Sequence, residues 1–254
     1  MVVALLGVWC LASAVPSETL PTAHVIILTG ANDAAAGKAR QDAAVARMVT
    51  WKDVLTVGKS APLLKASAEI PGLKPGFHVV LLGVCGAPDL SAGLALAKAM
   101  DPGAYSRELA QPVPTDVAAL SCPTAAPDVV LGEVLTTRDK TRTLRLARFD
   151  DAKDPTSPSR RWRAVVTLLA GDGTVLEETL QTRDAVTGPF GYDCAVAFEG
   201  GKKGITVTLT DCVRPRGCPA PASMDGRVVF GLGENKITVQ NKVTRDHAPP
   251  CSGE

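Results

Sequence analysis

Aromatic side chains are scarce in this chain: 5 Phe, 3 Trp and 2 Tyr stand among 254 residues. So few aromatics argue against a lectin that stacks sugar rings and against a protein that stacks nucleobases. Net charge is also nearly absent, because 27 basic residues face 26 acidic ones. Nucleic-acid binders usually carry a clear basic excess, so we predict no nucleic-acid partner.

Motifs for metals, cofactors and catalysis are missing as well. None of the three histidines stands in an H-x3-H pair, and no Cys-x2-Cys pair exists, so a zinc site is not expected. The segment from Gly30 to Lys38 lacks the spacing of a phosphate-binding loop, and no serine sits in G-x-S-x-G. We therefore predict no metal, no cofactor and no enzyme activity. Two alternatives stay open: a cysteine nucleophile with a distant histidine, and an enzyme site scattered over the second half.

No apolar run reaches the 20 or so residues that a membrane-spanning helix needs. The run from Val2 to Ala12 is short and leads into Ala12-Ser13-Ala14, which is typical of a signal-peptide cleavage site. We predict a signal peptide over residues 1–14 and export to the periplasm or the exterior, with no transmembrane segment in the mature chain. A buried N-terminal element and a lipoprotein anchored at Cys10 are the alternatives.

Six cysteines remain after that cleavage, and an even number in an exported chain favours disulfides. Cys194 and Cys212 flank a predicted turn at Glu199–Lys203, so a hairpin would bring them close enough to bond. Cys218 and Cys251 would then tie a loop to the C-terminal tail. This leaves Cys85 and Cys122 as the remaining disulfide candidates.

A Pro-rich stretch over residues 111–128 is predicted to be a linker between two domains. In residues 22–110 the pattern predicts strands and helices in the order β-α-β-β-α-β, with the strongest strand at Phe77–Val84. That order is the split arrangement of ferredoxin-like domains. It places both helices on one face of a sheet, and we expect the opposite face to be free.

Residues 129–254 are predicted to form an all-β domain stapled by disulfides. Ile205–Thr210 alternates apolar and polar residues, and short strands with turns at this spacing are typical of an antiparallel sandwich. Glu177 and Glu178 are expected to be one solvated residue and one edge residue, and Lys202-Lys203 to be a solvated turn tip. The predicted strands are 129–137, 142–149, 161–170, 174–181, 193–198, 204–213, 227–230 and 237–243. The fold class is therefore α+β.

Residues 70–83, with sequence IPGLKPGFHVVLLG, lead into the strongest strand and an Ala-rich helix. Together with the β-α-β-β-α-β order and Gly30 after the first strand, they resemble the SPOR (sporulation-related repeat) family over residues 22–110. That family binds peptidoglycan glycan strands on the helix-free face of its sheet. The resemblance implies that His24, Phe77 and His78 line such a site.

From these features we expect an exported bacterial cell-envelope protein that binds peptidoglycan or another envelope component through its first domain. One alternative is a structural or protein-interaction module without glycan binding. The other is an enzyme with a site in the β domain, which would need a concave pocket with converging titratable groups.

Overall fold

The computed structural model describes residues 22–154, 162–182, 193–213 and 223–246. It is a mixture of helices and mostly antiparallel strands, which confirms the predicted β-rich α+β class. The predicted signal peptide lies outside the described residues, and so do Cys218 and Cys251.

The first part of the chain forms a four-stranded sheet, sheet I, with two long helices on one side. Its order is β3-β4-β1-β5, and every neighbouring pair is antiparallel. The elements are β1 (Ala23–Ala31), α1 (Ala34–Trp51), β2 (Leu55–Thr56), β3 (Leu63–Ala66), β4 (His78–Gly86), α2 (Leu90–Met100), β5 (Tyr105–Glu108), α3 (Thr115–Ala118) and β6 (Thr124–Ala125).

Local contacts explain where α1 begins and how closely it lies on sheet I. A side-chain oxygen of Asp33 accepts a hydrogen bond from the Ala36 N–H at 2.7 Å, and this caps the first turn. Gly37 permits a close approach, since a Cβ at that position would lie 2.8 Å from the Cβ of His78.

The second part contains two antiparallel meanders, sheet II and sheet III. Their orders are β10-β9-β8-β7 and β11-β12-β13-β14, so each strand pairs with its neighbour along the chain. Sheet II comprises β7 (Val129–Arg138), β8 (Arg142–Asp151), β9 (Arg163–Ala170) and β10 (Val175–Thr182). Sheet III comprises β11 (Asp193–Gly201), β12 (Gly204–Val213), β13 (Ser223–Leu232) and β14 (Ile237–Asp246).

The sheets and helices stack in layers because sheet II is apolar on both faces. One core joins Ile26 of sheet I and Leu96 of α2 to Val165 of sheet II, so the two helices lie between these sheets. Within it, the rings of Trp51 and Phe149 meet edge to face with centroids 6.1 Å apart. A second core fills the space between sheets II and III.

The face of sheet I opposite α1 and α2 is covered, which corrects the expectation of a free face. Val25, Ile27, Val79 and Leu81 point to this side and are at most 3% exposed. The residues that cover them come from the β3–β4 connection and from the segment that follows β5, and include Ile70, Leu109, Val117 and Leu120. Apolar strand residues alternate to both sides of sheet I, so both sides need a cover to exclude water.

The predicted linker, residues 111–128, packs against the rest of the chain. Val117 of α3 is fully buried on sheet I, Cys122 forms a disulfide with Cys85, and β6 pairs with β2. The division of the chain into two independent domains stays a prediction.

Two disulfides are present among the described residues. Cys194–Cys212 joins β11 to β12, which confirms the pairing predicted from the hairpin. Cys85–Cys122 encloses a sequence separation of 37 residues and lies beneath α2, where a Cβ at Gly93 would come 2.8 Å from the Cys122 Sγ.

Removing the disulfide that joins Cys85 to Cys122 is expected to lower the free energy of unfolding by about 2–4 kcal/mol, because a long loop gains freedom in the unfolded chain. The variant is Cys85→Ala with Cys122→Ala, and guanidinium titration measures the change. Reductant should destabilise the variant less than the parent chain, since one of its targets is gone. An unfolding midpoint equal to that of the parent would contradict the prediction.

Candidate functional site

The structure separates the three residues predicted to form a ligand site. His24 pairs with Cys85 at one end of sheet I, whereas His78 pairs with Ala31 at the other end. These positions are seven residues apart along β1, which corresponds to about 23 Å at the usual rise of a strand. Phe77 stays beside His78 and is 42% exposed.

The two histidines also lie on the side of sheet I that carries the helices. His24 and Ile26 are two residues apart on β1 and therefore point to the same side of the sheet, and so do His78 and Val80 on β4. Ile26 and Val80 both belong to the core under α1 and α2. The expectation that His24 and His78 face away from the helices is therefore wrong. On the opposite face, the strand residues Val25, Ile27, Val79 and Leu81 are buried under other segments of the chain.

A cleft of about 380 Å³ opens where the end of α1 meets sheet II. Lys52, Asp53, Asp128 and Arg163 line it. The Arg163 guanidinium donates to the Asp128 carboxylate at 2.6 Å and to the Asp53 carbonyl at 2.6 Å. These bonds tie the start of β9 to the residues after α1 and to the segment between β6 and β7, so Arg163 has a structural role here.

A buried ion pair joins α1 to sheet II. The Arg47 guanidinium donates to the Glu178 carboxylate at 2.7 Å, and their side chains are 11% and 5% exposed. The Thr167 hydroxyl donates to the same carboxylate at 2.9 Å. Glu178 therefore lies on an edge strand of sheet II, β10, while its carboxylate is a buried partner of α1 and not a solvated group.

A second arginine closes the end of α2. The Arg145 guanidinium donates to the carbonyls of Lys98 and Ala99 at 2.8 and 3.1 Å. Burial lowers the pKa of Arg145, and the nearby Asp101 carboxylate opposes that shift. These contacts satisfy helix-end carbonyls that lack intrahelical partners, so we assign this network to folding.

Side chains also fix sheet III to sheet II at its turns. The Ile237 N–H donates to the Glu177 carboxylate, and the Arg142 side chain donates to the Gly233 carbonyl. Asp139 in turn holds Arg142: the Thr141 N–H and the Arg142 side chain lower the pKa of Asp139 to about 2. The inner face of sheet III is thereby held against sheet II, and its outer face points away from the molecule.

Four cations meet on that outer face. Lys202 and Lys203 form the β11–β12 turn, and Arg227 and Lys242 lie on β13 and β14; all four are exposed. They line a trough of about 670 Å³ together with Gly201, Gly204, Thr206, Val229, Gly231, Leu232, Thr238 and Gln240. We call this surface the basic face.

The charges of the basic face are not neutralised within the described residues. No ion pair found there involves any of its four cations; Arg227 donates instead to the Thr206 hydroxyl at 3.2 Å. Arg227 and Lys242 face each other across β13 and β14, and like charges in such a pair destabilise a sheet. A bound anion would relieve this repulsion.

Two carboxylate residues lie next to the basic face but do not line its trough. Glu199 shares the outer side of sheet III through its pairing with Thr206, and alternation along β13 places Asp225 on the same side beyond Arg227. Neither residue lines the trough. Among the described residues that line it, the trough therefore carries four positive charges and no negative one.

Sequence reasoning missed this surface. The alternation of Ile205–Thr210 predicts one wet side of β12, but Lys202-Lys203 was expected to be only a solvated turn tip. The missing information was the strand order, which places Arg227 and Lys242 beside that turn.

Comparison with protein-family models, with curated proteins and with solved structures finds no match. In the part of the chain that the structure describes, no group of His, Cys, Asp and Glu is arranged to hold a metal ion. Among the same residues, no helix combines the length and the apolar character needed to cross a membrane.

Proposed function

We propose that this chain is an exported bacterial cell-envelope binding protein that holds an acidic polymer of the envelope on its basic face. The single observation that carries the proposal is the collection of four exposed, unneutralised cations on one open sheet surface. Clefts and sheets lined by one sign of charge attract ligands of the opposite sign and raise their local concentration.

The layer order supports this choice of surface. Sheet I is covered on both sides, and sheet II is buried between the helices and sheet III. Within the described ranges, the outer side of sheet III is thus the broad sheet surface that no other layer covers. A binding protein can use such a surface without any rearrangement of its core.

For the fold, we propose a ferredoxin-like first part followed by a β-sandwich. The order β3-β4-β1-β5 supports the first assignment, because each helix then connects two strands with one strand inserted between them. The apolar core between sheets II and III supports the second. The two disulfides support export, since such bonds persist in oxidising compartments.

Binding rather than catalysis is supported by the way the titratable groups are used. The charged residues of the cleft beside α1 are tied to one another through Arg163, and the buried glutamate Glu178 is held by Arg47 and Thr167. The basic face offers donors and positive charge, which suit recognition of an anion.

Replacing Arg227 and Lys242 by glutamine is expected to weaken binding to purified envelope sacculi carrying their acidic polymers by about threefold to tenfold, as for the loss of two solvated ion pairs. Cosedimentation at low salt measures it. Lys59→Gln with Lys74→Gln makes the same change in net charge on exposed residues in loops beside sheet I. That control should bind like the parent. Equal losses in both variants, or no retention of the parent chain, would overturn the proposal.

A further inference from the structure

A carboxylate and a guanidinium lie on the two sides of Thr206 on the outer face of sheet III. Glu199 of β11 is the direct neighbour of Thr206 across the β11–β12 pair. Side chains opposite each other in such a pair share one side of the sheet, and their Cβ atoms are about 5 Å apart. From β13, on the other side of β12, the Arg227 guanidinium donates to the Thr206 hydroxyl at 3.2 Å. These contacts place one acidic and one basic group beside the same threonine.

The two opposite charges do not neutralise each other. Glu199 is exposed, and no ion pair found among the described residues involves its carboxylate. Arg227 bonds to Thr206 instead, and Lys242 is its direct neighbour on β14. Asp225, the other carboxylate on this side, already takes part in an interaction within the chain. The outer face therefore presents the Glu199 carboxylate next to unneutralised cations.

A ligand that carries acid groups alone suits only part of this arrangement. Its acid groups would pair with Arg227 and Lys242, but a further acid group beside Thr206 would come close to the Glu199 carboxylate. Like charges at such short range repel each other even where water surrounds them. An ammonium group at the same place would instead donate a charge-assisted hydrogen bond to Glu199.

Resting on the proposed function, we infer that the polymer held on the basic face is zwitterionic and carries ammonium groups beside its acid groups. An acid group meets Arg227 and Lys242, and a neighbouring ammonium meets Glu199. The Thr206 hydroxyl accepts from Arg227 and keeps its own hydrogen for an acceptor on the ligand. Phosphate and carboxylate both serve as the acid group, so the shared chemistry is an acid and an ammonium on neighbouring groups of one polymer.

Net charge alone predicts the opposite preference. Ammonium groups lower the negative charge of an acidic polymer, so a surface that offered only positive charge would bind the modified polymer more weakly. Tighter binding of the zwitterionic form therefore requires a negative group on the protein at the place of contact. Glu199 is such a group, since it is exposed and lies directly beside Thr206.

The test compares matched pairs of probes with the full-length protein. Hyaluronate oligosaccharides and their N-deacetylated forms carry the same carboxylates and differ in ammonium groups. Poly(glycerol phosphate) with and without alanyl esters makes the same comparison for phosphate. At a pH below the pKa of the amines, we expect the ammonium-bearing probe to bind about twofold to fivefold more tightly than its purely acidic counterpart, as for one solvated ion pair. Fluorescence polarisation measures the dissociation constants.

A single substitution shows whether the carboxylate recognises the ammonium. Glu199→Gln should abolish the preference, because the ammonium-bearing probe loses its partner and the purely acidic probe is no longer repelled. Glu108→Gln makes the same change in net charge on an exposed residue of β5 in sheet I. That control should keep the preference of the parent chain. Circular dichroism verifies that both variants are folded.

The outcomes separate this inference from the proposed function. If no probe of either form binds, or if Arg227→Gln with Lys242→Gln binds every probe like the parent chain, the proposed function fails. If the probes bind through the basic face but the purely acidic forms bind as tightly as the ammonium-bearing forms, the zwitterion inference alone is wrong. A preference that survives in Glu199→Gln would also overturn it. A preference within one pair of probes supports the inference and identifies the acid group as carboxylate or phosphate.

Discussion

Replacing Arg47 with methionine is expected to lower the free energy of unfolding by about 3–5 kcal/mol, as found when one partner of a buried ion pair is removed. The Glu178 carboxylate, 5% exposed, would keep the Thr167 hydroxyl and lose its cation. The variant would also lose the hydrogen bond from Arg47 to the Met100 carbonyl at the end of α2. Denaturant titration followed by circular dichroism measures the change.

A second variant separates the charge effect from lost packing. Glu178→Leu combined with Arg47→Met removes both charges, so it should recover part of the lost stability. Asp42→Asn is the exposed control, because Asp42 and Lys38 form an ion pair with side chains 62% and 60% exposed. That control should change stability by less than about 1 kcal/mol. A single Arg47 variant as stable as this control would show that the buried pair does not hold the layers together.

Replacing Phe149 with alanine is expected to cost about 3–5 kcal/mol, the usual range for a large aromatic side chain removed from a core. Phe149 lies on β8 and is 0% exposed, and its ring packs on Trp51 of α1. Because this contact joins the helices to sheet II, we expect the helix layer and sheet II to lose stability together. Scanning calorimetry of the variant should show one shifted transition.

Phe77→Ala gives the matched comparison, since the same atoms are removed from a side chain that is 42% exposed. We expect a loss below about 1 kcal/mol there, as for most surface substitutions. Two separate calorimetric transitions in Phe149→Ala, with only one of them shifted, would mean that the helices and sheet II do not unfold as one unit.

Local signals were enough to place most of the elements. The strand predicted at 204–213 matches β12, and the Ala-rich helix expected after the strongest strand is α2, which ends at Met100 just before Pro102-Gly103. The two-residue strands β2 and β6 were not predicted, since a pair of residues shows no periodicity. Their pairing depends on how residues 111–128 return to the end of α1.

The candidate site was beyond the reach of sequence patterns for a related reason. A lysine pair at a turn and two cations on later strands are unremarkable one by one. They become one surface only when β12, β13 and β14 pair in register. The same holds for the residues predicted from the family resemblance: β1 and β4 run antiparallel, so His24 and His78 end up at opposite ends of sheet I.

The sequence alone argues against stacking sites, because aromatics are scarce, and against nucleic-acid binding, because the charges balance. The cysteine spacing also correctly pairs Cys194 with Cys212. These features are local or compositional, so no knowledge of packing was needed. Only the tertiary structure decided that sheet I is covered on both faces and that the open, charged surface lies on sheet III. The reason is physical: burial depends on which distant segments remove a face from water, and a neutral total charge says nothing about where four cations meet.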